Sequence, residues 1–363
     1  MIYLDYQATT PLAPEARAAM LPWLEKFANP HSPNRAGREA AAAIEHARGQ
    51  VAALLPAGGE LIFTSGATEA LNMALRSAEG RIVTIATEHA AVLDTVEWLR
   101  RQGNEVEVLP VGSDGLVKSD RLRDALREPT ALVAAMLVNN EIGVIQPVAK
   151  IAELAHEAGA LMLCDAVQGY GRVPIPEGPD LIAISAHKIH GPKGIGALWT
   201  RNGVSVSPLL YGGGQERGLR SGTLSPMLCA GFGAAAALAA ERKQIDQGHV
   251  EELWQTALNA LGPGWIVNGS TEHRYRGNLN VRREGLDAAR LLSDCRQIAF
   301  SLGSACASGS GRPSHVLRAL GLSDGEARQS VRLGFGRYTT LNEVTEACTL
   351  IRHTADAQQR FAA

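Results

Sequence analysis

The chain has no paired-cysteine pattern. Its five cysteines, Cys164, Cys229, Cys295, Cys306 and Cys348, are odd in number, scattered and without C-x-x-C spacing. That speaks against a disulfide framework and points to a reducing, cytoplasmic setting; no metal-ligand set is expected. Excess charge is also missing: the net charge is -2 over 363 residues. Nothing in that balance offers a general footprint for nucleic acid or an acidic membrane, so neither is expected as a direct partner. Long apolar runs are lacking. The longest, Met227 to Ala240, is 14 residues of mostly Ala and Gly, too short to span a bilayer and better read as a packed helix. The opening Met1-Ile2-Tyr3-Leu4-Asp5 has no basic n-region, so no targeting segment is expected. Repeats and low-complexity tracts are absent from the sequence.

What is present is a succession of short apolar runs with polar ends. Leu181-Ile182-Ala183-Ile184 reads as a buried parallel strand, and it leads through Ser185, Ala186 and His187 to Lys188 and a Gly191-Pro192 turn. Carboxyl ends of strands are where open α/β sheets place ligand chemistry. A lysine buried there either finds a partner or loses its proton. Upstream, a helical stretch from Ala149 to Glu157 is stopped by Gly159, and the strand Ala160 to Cys164 ends in Asp165-Ala166-Val167-Gln168. A Schiff-base lysine together with an acid for a pyridinium nitrogen is the donor set of pyridoxal 5′-phosphate (PLP). Asp165 would keep that nitrogen protonated, and Gln168 would donate to the ring phenolate oxygen.

Two further strands end in the same manner. Arg81 to Ala86 runs into Thr87-Glu88-His89, followed by a helix from Ala90 to Arg101. Ala131 to Val138 runs into Asn139-Asn140-Glu141-Ile142-Gly143. His89 would stack on a pyridine ring, and Asn140 would reach its phenolate oxygen. The strand Leu61 to Thr64 turns through Ser65-Gly66 into a helix opened by Ala67-Thr68-Glu69, whose first N–H groups suit a phosphate dianion; Ser185 and His187 would face the same group. Taken singly, each feature is ordinary turn chemistry. Four polar strand ends in succession are not.

With Leu4-Asp5-Tyr6-Gln7-Ala8-Thr9-Thr10-Pro11, Arg220-Ser221-Gly222-Thr223 and Gly303-Ser304-Ala305-Cys306, these motifs resemble the NifS/IscS-type cysteine desulfurases from about residue 2 to about residue 345. The resemblance implies an α/β fold of the aspartate-aminotransferase kind (fold type I). Its large domain, residues 14–243, would hold a mixed, mostly parallel seven-stranded sheet; residues 1–13 and 244–363 would form a smaller α+β domain. It implies PLP on Lys188, L-cysteine as substrate with its carboxylate on Arg332 and Asn140, and Cys306 as nucleophile. Lys188 would move the α-proton, and His89 would exchange a proton with the substrate thiol. The products would be alanine and a Cys306 persulfide, passed to a sulfur-acceptor protein for iron–sulfur assembly or other thio-cofactor or tRNA pathways. It implies a homodimer in which the glycine-rich loop 212–223 crosses the interface and Thr223 touches the partner's PLP phosphate.

Composition agrees with the nucleophile. In Ser301 to Pro313 nine of 13 residues are Gly, Ala or Ser, a composition that reads as a loop with little to anchor it and suits a thiol that must reach substrate sulfur and carry it away. The other four cysteines sit in apolar or helical surroundings and read as small hydrophobes. A helix is expected from Ser314 to Leu320. The charged segment Glu241 to Asp246 reads as the domain boundary, followed by a separate amphipathic helix from Val250 to Leu261. Relatives usually carry a histidine where Asn34 stands, and a longer tail of which part docks a scaffold, so the acceptor stays open. An aminotransferase or selenocysteine lyase of the same fold, and a catalytically idle binding protein, are the alternative readings.

Overall fold

A computed structural model describes residues 1–302 and 313–362, the last three without their side chains. The apolar runs form one seven-stranded sheet in the order Gly59–Thr64, Gly196–Arg201, Leu181–Ser185, Leu161–Asp165, Leu132–Met136, Ile82–Ile85, Val106–Leu109. Gly196–Arg201 is antiparallel to both neighbours and the remaining pairings are parallel, the mixed, mostly parallel sheet expected. Side chains alternate across it. Ile182 and Ile184 pack with Phe232 and Ala235 on one face, while Leu181 and Ala183 pack with the helices Ala67–Arg76 and Ala90–Arg101 on the other. Burial on both faces is why these strands read as unbroken apolar runs.

The second core is built around a four-stranded antiparallel sheet, ordered Ser301–Leu302, Ser330–Gly334, Asn278–Arg282, Ile266–Val267. Leu253, Trp254, Leu279, Val331, Leu333, Val344 and Ile351 fill it, and Leu4 joins them. The N-terminus is thus fastened here, with Ile2–Tyr3 parallel to Ile298–Ala299.

One expectation fails. The charged segment Glu241 to Asp246 does not interrupt the chain: a single helix, Pro226–Leu261, runs through it and serves both cores. Arg242 and Asp246 pair one turn apart (3.2 Å), and Arg337 closes on the same aspartate (2.7 Å), so these charges form a helix face rather than a break between two helices. Asn34 caps the helix Arg35–Ala52, its Oδ1 accepting from Gly37 N–H at 2.8 Å. No described helix is long and apolar enough to cross a membrane.

Candidate active site

Parallel register brings the strand ends side by side, with Met136 opposite Asp165 and Asp165 opposite Ala183. Beyond those ends lies a cavity of about 930 Å³. The structure gathers there Ala67, Thr68, His89, Asn140, Asp165, Gln168, Ser185, His187, Lys188 and Arg332, as the sequence suggested. Thr223 is exposed and does not reach this cavity. Cys306 lies outside the described residues, although Pro313 and His315 line the cavity mouth.

Lys188 ends a one-turn helix, Ala186–Lys188, directly after its strand. Its Nζ donates to the carbonyls of Gln7 (2.5 Å) and Ala8 (2.7 Å). Gln168 also donates to the Gln7 carbonyl (2.9 Å), while its Oε1 accepts from Arg172, which in turn holds the Lys188 carbonyl. Asn139 ties two strand ends together: Oδ1 accepts from the N–H groups of Glu141 and Ile142, and Nδ2 donates to the Thr87 carbonyl. That leaves Asn140 facing the cavity.

His89 caps the helix Ala90–Arg101, its Nδ1 accepting the Ala91 N–H at 3.0 Å. A backbone N–H can only donate, so the ring proton sits on Nε2. His187 is held by Thr9 Oγ1 (3.1 Å); burial, then the Lys188 charge, lowers its pKa to about 4.

Two buried carboxyl groups lie behind the cavity. Asp165 accepts the Val167 N–H at 2.9 Å. Burial pushes its pKa up, against the pull of that bond, His89 and Lys188. Glu88 is buried deeper: burial, then the Asp165 charge, raises it well above the carboxylate range, and its Oε2 makes no hydrogen bond among the described residues. Like charges this close do not both ionise. Of the two, Glu88 is held further from its charged form, and Asp165 lies nearer the Lys188 amine.

Sequence reasoning passed over Glu88, Glu141, Arg172 and Asp5. Three of them stood inside motifs already singled out, where a charged residue beside the noted one was the available signal. Arg172 gave none.

A pyridine ring carrying an aldehyde and a phosphate fits these donors. Lys188 and Asp165 line one cavity, so an amine and an acid face the same space. The helix Ala67–Arg76 opens on Gly66 with no side-chain cap, leaving its first N–H groups for an anion. Glu69 fastens the turn by accepting the Ser65 N–H (2.7 Å) and pairing with Arg220 (2.8 Å).

The class V aminotransferase model matches residues 2–346, and the chain belongs to that family, whose members are PLP-dependent enzymes of fold type I. Within it, the chain is 44% identical to the cysteine desulfurase IscS of Rickettsia bellii, over 96% of this chain and 90% of that protein. The same enzyme of Rickettsia akari is 42% identical, covering 99% and 92%. A NifS-like protein from Rickettsia africae superposes with a TM-score of 0.91 at 29% identity, covering 98% of this chain and 99% of its own. SspA in complex with cysteine superposes at 0.84 with 33% identity, covering 94% and 100%. These relatives do not favour the aminotransferase or selenocysteine lyase readings.

Proposed function

We propose how the residues of this cavity divide the labour of a PLP-dependent cysteine desulfurase acting on L-cysteine. The activity itself follows from the family and its desulfurase relatives. Lys188 would hold the aldehyde carbon, Asp165 the ring nitrogen, and the N–H groups of Ala67 and Thr68, with Ser185 and His187, the phosphate. Once bound, the cofactor supplies an electron sink for charge developing at the substrate α-carbon. Arg332 and Asn140 bind the substrate carboxylate, and Lys188 Nζ takes the proton from the α-carbon. His89 would lie against the bound ring and present Nε2–H toward the substrate thiol.

The thiolate of Cys306 attacks the substrate sulfur: an S–S bond forms, the C–S bond breaks with its electron pair left on carbon, the β-carbon takes up a proton, and Lys188 returns one to the α-carbon to leave alanine. Sulfur then passes to an acceptor protein, for iron–sulfur cluster assembly or another thio-cofactor or tRNA pathway. Four described cysteines that are buried and free of disulfides support a cytoplasmic enzyme. The large PLP-binding domain would end near residue 243, midway along the helix shared by the two cores. A homodimer is supported by Thr223, which stands away from its own chain's cavity, and by Phe27 (99% exposed) and Tyr211, large apolar groups left in solvent.

The observation that carries the assignment of roles is that Lys188 and Asp165, at the carboxyl ends of adjacent strands, line one cavity. Cys306→Ala tests the nucleophile. Sulfide release from L-cysteine with a thiol reductant should fall at least a hundredfold; full activity would assign the nucleophile elsewhere.

A further inference from the structure

Arg332 lies on the strand Ser330–Gly334 and is 1% exposed, yet it lines the cavity. A buried guanidinium needs its N–H groups matched. Nη2 donates to Asp5 Oδ1 at 2.7 Å, and Nη1 donates to the Asn140 carbonyl at 3.1 Å. Nε makes no hydrogen bond among the described residues. Backbone pairing fixes Asp5 in place: Gly334 N–H donates to the Leu4 carbonyl (2.7 Å) and Tyr6 N–H to the Gly334 carbonyl (3.3 Å). Tyr3 closes the turn, its hydroxyl 2.8 Å from the Thr9 carbonyl. The other carboxyl group that acts on Arg332, Glu141, is taken by the Ser314 hydroxyl.

We propose that Asp5 is a positioning residue for substrate binding, gripping one edge of the Arg332 guanidinium so that its remaining donors meet the amino-acid carboxylate. The inference rests on the reading of Arg332 as the carboxylate site. A charge-assisted bond of this geometry fixes a planar fork in orientation, which a flexible arginine lacks on its own. Asp5 thereby favours substrates with an α-carboxylate over simple amines.

The test uses PLP-loaded full-length protein and the variants Asp5→Ala, Asp5→Asn and Arg332→Gln. KM and kcat are measured with L-cysteine. Binding of L-alanine and of ethylamine, which lacks the carboxylate, is followed by cofactor absorbance. For Asp5→Ala the KM should rise about tenfold, by more than kcat falls, and the L-alanine Kd should weaken in step while that of ethylamine holds. Asp5→Asn keeps an acceptor without the charge and should show about a threefold effect; if Asp5→Ala does not fold, this variant decides. Unchanged L-alanine binding, or equal losses for alanine and ethylamine, would overturn the proposal. If Arg332→Gln also leaves L-alanine binding intact, the carboxylate reading itself fails; if Arg332→Gln weakens it and the Asp5 variants do not, only the role of Asp5 fails.

Discussion

His89 performs two tasks that substitution can separate. Its Nδ1 caps a helix and its Nε2–H faces the cavity. Asparagine is among the best N-cap residues, so His89→Asn should keep folding stability within about 1 kcal/mol while removing the ring and its proton. Turnover should drop at least tenfold, within the range ascribed to positioned acid–base groups. Equal loss of stability and activity would mean that the cap is the whole role. Glu141 offers a pH test. Burial, partly opposed by the Ser314 hydroxyl, lifts its pKa from 4.5 to about 7. The folded state therefore keeps a proton that the unfolded chain releases. That contribution is fully present below about pH 4.5 and is lost as pH rises through 7. Denaturant titrations at pH 5 and pH 8 should show wild type losing up to about 3 kcal/mol relative to Glu141→Gln; parallel slopes would contradict the buried neutral carboxyl.

Among the elements, the turn proposed to hold the phosphate depends on one close approach. A Cβ at Gly196 would lie 2.6 Å from the Ile184 carbonyl oxygen and 2.7 Å from the Gly66 backbone. Gly196→Ala must therefore displace the turn that opens the helix Ala67–Arg76, and fluorescence titration should show PLP affinity weakened at least tenfold. Unaltered affinity would place the phosphate elsewhere. The elements also show what the sequence made legible. Most strands buried on both faces announced themselves as apolar runs, though Gly196–Arg201, whose sequence GALWTR mixes in Gly and Thr, did not, and the helix Ala90–Arg101 was read to its ends. The edge strand Val106–Leu109, half-buried and carrying Glu107, has no such run. The helix Pro226–Leu261 hid its continuity because a charged turn resembles a linker. Asp5 and Arg332 meet across 327 positions, a pairing that no local pattern can announce, and Arg172 reaches Gln168 and Lys188 through contacts set only by folding.

For the whole molecule, the two cores meet around a cavity that neither supplies alone. Strand ends of the seven-stranded sheet give Lys188 and Asp165, whereas the antiparallel sheet gives Arg332. The N-terminal segment bridges both, with Gln7 and Ala8 holding Lys188 while Asp5 holds Arg332. On the roles proposed for them, these residues would bring a carbon-acid site and a carboxylate clamp to one substrate, and the sulfur released would need a nucleophile of its own. A single turnover with L-cysteine, followed by mass analysis of non-reduced peptides, tests this most directly. The account predicts one added sulfur atom on the peptide containing Cys306 and an equivalent amount of alanine; sulfur on another cysteine, or alanine without protein-bound sulfur, would contradict it.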